Sequence, residues 1–262
     1  MIYFFAYILC GTVVGFLAGL FGIGGGIIGI PALLALFSLQ NIPQSLGMHL
    51  AIGTSLAVVI VTTTASIISH VRKQSILYPL FLKFIPGAIF GTILGVIISQ
   101  NIQSYYLQKI FGIFLLFISL QMFKKIELHP DGGLPSQAKL FLVSFCLGIF
   151  SGLLGLGGGV FMIPYFHWCG IPMRNAIATA AVCILPIAIV GSIGYMMSSV
   201  HVTSAPALNT GFIYWPAFVG MSIPSTIMAP IGVSVMHKIS SEKLKRAFAG
   251  LLILIGLTMI FK

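Results

Sequence analysis

The segment Gly15 to Pro31 reads GFLAGLFGIGGGIIGIP, and 133 residues later Gly148 to Pro164 reads GIFSGLLGLGGGVFMIP. Nine of the seventeen positions are identical, among them three consecutive glycines and the proline five residues after them. A doubled motif of this length restricts the chain to folds built from two equivalent halves. Weaker echoes extend the match. Ala51-Ile52-Gly53-Thr54-Ser55 resembles Ala176-Ile177-Ala178-Thr179-Ala180, Ile85-Pro86 resembles Ile223-Pro224, and the last segments, from Gly112 and Gly250, correspond. One half spans 1–123 and the other 140–262. Residues 124–139, KKIELHPDGGLPSQAK, hold two of the three acids together with Pro and Gly, and read as a solvated, cytoplasmic linker.

The halves are too apolar for water. Only 6% of the 262 residues are charged and 58% are hydrophobic, whereas a soluble domain carries roughly a quarter of its residues as charges. Thirteen basic and three acidic side chains cannot cover a hydrated surface. This excludes a soluble enzyme, a disordered chain and a fibre. The expected class is an all-α polytopic membrane protein, a single integrated transmembrane domain. Five segments are expected in each half. In the first they lie near 3–21, 27–39, 47–70, 77–99 and 105–123; in the second, near 140–155, 160–169, 175–199, 212–236 and 245–261. The second segment of each half is too short to cross alone at about 1.5 Å per residue. It is expected to fold back on the first, turning at the triple glycine.

Basic residues orient the chain. Loop 71–76 carries Arg72 and Lys73 while its counterpart 200–211 carries none; loop 237–245 carries Lys238, Lys243 and Lys245 while its counterpart 100–104 carries none. Equivalent loops with opposite charge imply halves of opposite orientation, an inverted repeat. Placing Arg72, Lys73, Lys124, Lys125, Lys139, Arg174, Lys238, Lys243, Lys245 and Arg246 in the cytoplasm leaves Lys109 and Lys262 outside, with both termini extracytoplasmic. A cysteine introduced at position 74 is therefore expected to react with an impermeant thiol reagent only from the cytoplasm, and one at 103 only from outside. Labelling of both from one side would end the inverted arrangement. The net charge of +10 follows this pattern and forms no aromatic-interleaved basic stripe, so no nucleic-acid partner is expected. Cys10, Cys146, Cys169 and Cys183 form no CxxC pair and read as buried small hydrophobes, with no metal or cofactor expected.

Chemistry is sparse and localised. Glycine permits positive φ and leaves backbone N–H groups open to a ligand. Helices beginning at Ile27 and Val160 would aim their positive ends at the turns, which favours an anion. Gly24, Gly25, Gly26, Gly157, Gly158 and Gly159 are thus the leading substrate-binding candidates, with the two turns meeting near mid-membrane. Gly15, Gly19, Gly148 and Gly152, spaced by four, read instead as close helix packing. Gly24-x-Gly26-x-x-Gly29 imitates a dinucleotide fingerprint by accident: it lies in a membrane segment and no acid precedes Glu127. Thr54 and Ser55, with Thr179 in the second half, offer hydroxyls to the same anion, or else bond back to their own helix. Thr62, Thr63, Thr64 and Ser66 read as helix packing. His49, one turn before Gly53, is a candidate proton relay. Lys83 either snorkels to headgroups or attracts anions at the mouth of a pathway. Glu127, Asp131 and Glu242 all fall in loops. That excludes carboxylate-based sodium sites, acidic proton relays and aspartyl chemistry within the membrane. With no HExxH, GxSxG or P-loop either, no enzymatic activity is expected.

The paired G-x-x-G-x-G-G-G-x-x-x-x-P turns, with MHLAIGTSLAVV at 48–59 and RNAIATAAV at 174–182, resemble the TauE/SafE family of sulfite-exporter-like membrane permeases over essentially the whole chain. Ala180 departs from the pattern, standing where the first half has Ser55. The resemblance implies an inner-membrane permease for a small sulfur-containing anion such as sulfite, sulfoacetate or a related organosulfonate. An anion leaving an electrically negative interior runs downhill, so export is the expected direction. The alternatives are a membrane scaffold or partner protein without transport activity, and proton-coupled uptake of such an anion. The expected partners are the small anion and the lipid bilayer; a homodimer stays open.

Overall fold

The computed structural model describes residues 2–21, 24–71, 76–123, 135–198, 208–236 and 241–261. Ten helices account for nearly all of them: α1 (Ile2–Phe21), α2 (Gly26–Leu39), α3 (Gln44–Val71), α4 (Tyr78–Gln100), α5 (Ser104–Phe123), α6 (Gln137–Leu154), α7 (Gly159–Trp168), α8 (Met173–Met196), α9 (Trp215–Met236) and α10 (Ser241–Phe261). Six of these, α1, α3, α4, α5, α6 and α8, are long and apolar enough to cross a membrane. The protein is an all-α polytopic membrane protein. The linker expected at 124–139 lies mostly outside the described residues, as do Gly22, Ile23 and the loop at 72–75.

The helix starts follow local chemistry. α2 and α7 begin immediately after Gly25 and Gly158, whose φ values of 80° and 83° are left-handed. α4 begins Tyr78-Pro79 and α9 begins Trp215-Pro216; proline costs nothing in a first helical turn, where no N–H partner exists. At about 1.5 Å per residue the 14-residue α2 and 10-residue α7 reach only about 21 and 15 Å, short of the roughly 30 Å hydrocarbon core.

One element was not expected. Asn209–Thr210 pairs antiparallel with Ile213–Tyr214, so the segment expected to start at 212 opens as a two-residue-loop hairpin before α9. Gly211 turns it at φ 55°, and Phe212 and Ile213 are buried. A ribbon this short leaves no alternation for sequence periodicity to register.

The halves exchange partners. α1 packs on α9, and α6 packs on α4. The small residues of these helices are seated against backbone. A Cβ added to Gly15 would lie 2.3 Å from Ser225 Cα, one on Gly19 2.0 Å from the Ala229 carbonyl oxygen, one on Gly148 2.3 Å from that of Ala88, and one on Gly152 2.3 Å from that of Thr92. The packing role expected of these four glycines is what the structure displays. Gly87, Gly91 and Gly95 of α4 make the return contacts on α6. The successive pairings rise together along both chains, so α1 runs parallel to α9, and α4 to α6.

Corresponding helices behave differently. Gly53 of α3 approaches Tyr195 of α8 and Leu56 approaches Gly191, so this pair runs antiparallel. Gln108 donates to the Met259 carbonyl and Ser119 to that of Ala249, so α5 and α10 are antiparallel too.

Candidate functional site

The glycine turns come together at the centre of this arrangement. Gly24, Gly25, Gly157 and Gly158 all have positive φ, between 66° and 83°. A side chain at Gly24 would touch Val59 and Ile184, each 3.8 Å away. One at Gly157 would meet the same two residues, at 3.4 and 2.9 Å. Val59 and Ile184 occupy corresponding places near the midpoints of α3 and α8. The backbones also touch directly, since a Cβ on Gly26 would fall 2.8 Å from the Gly155 carbonyl oxygen. Neither Gly25 nor Gly158 caps its helix with a side chain. In α7 the Phe161 N–H already reaches the Gly158 carbonyl at 3.1 Å, while the other first-turn N–H groups of α2 and α7 receive no side chain from the cap. Gly159, the last of the second set, is the first residue of α7 and is buried.

Gly25 and Gly158 themselves face away from this meeting point. Their Cβ positions lie 3.3 Å from Val14 and Ala18 of α1 in the first half. In the second half the nearest atoms belong to Met162, at 2.7 Å, and Ser151, at 3.2 Å. It is Gly24 and Gly157 that flank the shared apolar wall.

The hydroxyl candidates take related but different places. Thr54 and Thr179 are fully buried. Thr54 Oγ1 accepts the backbone N–H of Tyr214 at 3.0 Å, and Thr179 Oγ1 accepts that of Leu77 at 3.1 Å. Tyr214 and Leu77 are the residues immediately before α9 and α4, so each half's threonine holds the start of the other half's fourth helix. Recurrence of Thr in both halves signalled a paired role, and no sequence feature named the partner. Ser55 is 2% exposed and points at α2, its Oγ 3.2 Å from where Gly29 would carry a Cβ. In the second half the corresponding residues are Met162 and Ala180, both in one buried cluster. The two departures from the repeat are one exchange of volume: a large side chain on the short helix accompanies a small one on the long helix.

His49 is buried in a network that sequence reading missed. Its Nε2 lies 2.9 Å from the Ser99 carbonyl oxygen, and its Nδ1 lies 2.9 Å from Ser104 Oγ. Ser104 Oγ also donates to the Ser45 carbonyl at 2.7 Å. The ring stacks on Phe212 at 5.0 Å, and Tyr195 donates to Ser99 Oγ at 2.6 Å. A carbonyl only accepts, so Nε2 carries a proton. Nδ1 can either accept from the Ser104 hydroxyl or donate to it while that hydroxyl turns to Ser45. Both charge states of the ring are satisfied. Lys83 is exposed near the start of α4. Among the described residues no three His, Cys, Asp or Glu side chains cluster.

A family model described as "Sulfite exporter TauE/SafE" matches residues 7–259. Curated relatives align over nearly all of both chains. A "Probable membrane transporter protein" of Haemophilus influenzae is 29% identical over 258 residues, covering 97% of each chain. One from Methanocaldococcus jannaschii is 31% identical over 255 residues, covering 97% of this chain and 94% of its own. "Probable membrane transporter protein YunE" of Bacillus subtilis is 26% identical over 279 residues, covering 99% and 98%. No solved structure matches.

Proposed function

Since the chain belongs to the TauE/SafE sulfite exporter family and is a membrane transporter, we propose that it exports a small sulfur-containing anion through the paired glycine turns. Sulfite, sulfoacetate and related organosulfonates are the substrate class. The observation that carries this reading is that two helix N-termini without side-chain caps, those of α2 and α7, meet against the common wall of Val59 and Ile184. Helix N-termini place partial positive charge and free N–H groups where an anion can use them. Thr54, Ser55 and Thr179 lie on the two helices that supply the wall. The hydroxyls of Thr54 and Thr179 hold the starts of α9 and α4, and an accepting hydroxyl keeps its own proton for the anion.

The antiparallel pairs α3–α8 and α5–α10 support an inverted repeat, of halves 1–123 and 140–262 joined by a cytoplasmic linker. The helix directions agree with those assigned from the basic residues. On this reading the protein lies in the inner membrane with both termini extracytoplasmic, and Lys83 adds positive charge at the cytoplasmic mouth.

Direction follows from charge. A monovalent anion leaving a negative interior gains about 2.3 kcal/mol per 100 mV, nearly a fiftyfold outward bias, without a coupling ion. In proteoliposomes, an inside-negative potential set with potassium and valinomycin is expected to accelerate efflux of radiolabelled sulfite, and the reversed potential to slow it. A rate indifferent to potential but driven by a pH gradient would favour the second reading, proton-coupled anion movement. The bonding of both His49 nitrogens to groups that serve either charge state supports that alternative.

A further inference from the structure

The network around His49 is complete in only one charge state of the ring. Three contacts join it end to end. His49 Nε2 lies 2.9 Å from the Ser99 carbonyl oxygen, Nδ1 lies 2.9 Å from Ser104 Oγ, and Ser104 Oγ lies 2.7 Å from the Ser45 carbonyl oxygen. Each contact of such length needs a hydrogen between its heavy atoms. The carbonyls bring none and the Ser104 hydroxyl brings one. The ring must therefore bring two, and only an imidazolium has two. A neutral ring can still satisfy both of its nitrogens, keeping its proton on Nε2 and taking the Ser104 hydroxyl at Nδ1. The Ser104 and Ser45 oxygens then have no hydrogen between them and must part.

The contact that depends on the proton is a joint between elements. Ser45 lies in the first turn of α3, Ser104 is the first residue of α5, and Ser99 lies at the end of α4. The ring stacks on Phe212 of the hairpin at 5.0 Å, and the Phe212 N–H donates to the Tyr195 carbonyl of α8. One imidazole thus holds the α4–α5 connection and the other half's hairpin to the start of α3. His49 and Ser104 are buried, whereas Ser45, Asn101 and Gln103 beside them are exposed. The proton is one layer from the surface.

No fixed charge competes for it. The acids of the chain are Glu127, Asp131 and Glu242, and none lies in α3, α4, α5, α8 or the hairpin. On α5, Lys109 is bonded to the Ile260 carbonyl and sits over the Tyr105 ring. Lys83 and Arg174 lie near the opposite ends of α4 and α8 from Ser99 and Tyr195. Tyr195 turns its hydroxyl to Ser99 Oγ and the Gly152 carbonyl, and Tyr214 of the hairpin packs its ring on Tyr7 and Phe37.

We infer that His49 is a proton-operated clasp: with the proton bound it docks the start of α5 on α3, and loss of the proton frees that joint. On deprotonation the Nδ1 proton passes to water, the Ser104 hydroxyl turns from Ser45 to Nδ1, and the Ser45 carbonyl loses that donor. Release loosens the end of the bundle from which the hairpin leads into α9, so anion passage quickens as the pH rises. Only this effect on flux rests on the proposed transport; the clasp itself does not.

The full-length protein in detergent tests the clasp, with its native cysteines replaced by alanine and nitroxides attached at Gln44→Cys and Gln103→Cys. Both positions are exposed and adjoin Ser45 and Ser104. Dipolar broadening between the labels is expected to weaken as the pH rises from about 5 to about 8, with the midpoint of the 15N resonances of His49. Those resonances should show both nitrogens protonated at the acid end and Nε2 alone at the other. His49→Gln should abolish the pH response of the labels. A ring that does not titrate over this range overturns the inference. So does broadening that ignores pH while the ring titrates, or that still follows pH in His49→Gln. In proteoliposomes held at equal pH on both faces, the rise in sulfite efflux over the same range should be about fivefold larger in the wild type than in His49→Gln, the weight of one hydrogen bond. A clasp that titrates in detergent while wild-type vesicles release no sulfite upholds the clasp and removes the transport reading.

Discussion

Valine at Gly19 or Gly91 is expected to leave almost no folded protein in the membrane. The added Cβ would sit 2.0 Å from the carbonyl oxygen of Ala229 in the first case and of Phe145 in the second. Both obstacles are backbone, which no rotamer change relieves, so the helix axes must separate. Each substitution strikes one of the two most extensive contacts between the halves, α1 on α9 or α6 on α4. Membrane helices gain little from excluding water and associate largely through close packing of small residues. Overpacking a well-filled interior costs roughly 1–3 kcal/mol, and more where nothing yields. Separation would also spread along the neighbouring contacts, because Gly15 and Gly95 seat their helices in the same way. Gly250→Ala is the control. Nothing lies within 4 Å of its Cβ position, and alanine favours a helix by about 0.8–1 kcal/mol over glycine. Fluorescence-detected gel filtration of detergent extracts should show a monodisperse peak for Gly250→Ala and none for the valine variants. Wild-type peaks for Gly19→Val and Gly91→Val would mean that the interlocked packing does not hold the halves together.

That contrast shows what the sequence could and could not convey. Glycines four residues apart announce close approach in α1 and α6, yet glycine has no side chain with which to specify its neighbour. The exchange of α1 onto α9 was accordingly illegible. The turns were legible because three glycines in a row, repeated at one offset, have few uses in an apolar chain. Which glycine faces the opposite turn depends on φ at each position: Gly24 and Gly157 flank Val59 and Ile184, and Gly25 and Gly158 do not. Thr62, Thr63 and Thr64 look alike as letters. Thr62 and Thr64 bond back to their own helix while Thr63 Oγ1 has no hydrogen-bond partner, a difference that the letters do not carry. His49 was noticed as a lone histidine, but Ser99, Ser104 and Phe212 lie 50 or more residues away in the chain, and short-range spacing cannot report them.

The turns themselves admit a sharper test than valine at Gly25 or Gly158, where the new side chain would press on α1, or on Ser151 and Met162. Gly24→Asn is expected to fold normally and to transport nothing. Asparagine adopts left-handed φ more readily than other side-chain-bearing residues, so the φ of 76° at Gly24 costs it little. The nearest atoms to the added Cβ are 3.8 Å away, an ordinary contact, so the side chain enters the space between Val59 and Ile184 without displacing backbone. There it occupies the position proposed for the anion and offers its own carbonyl to the N–H groups. Gly157→Asn should do the same less cleanly, since its Cβ falls 2.9 Å from the flexible end of Ile184. Gly24→Val, by contrast, carries a β-branched residue at positive φ, a backbone strain of order 1–3 kcal/mol, and should lose stability as well as flux. The informative result is the split between them. Unchanged melting temperature with sulfite efflux at the level of empty vesicles in Gly24→Asn places the pathway at the turns. Wild-type efflux in Gly24→Asn, with its fold intact, would move the pathway elsewhere in the bundle and leave the glycines as packing alone.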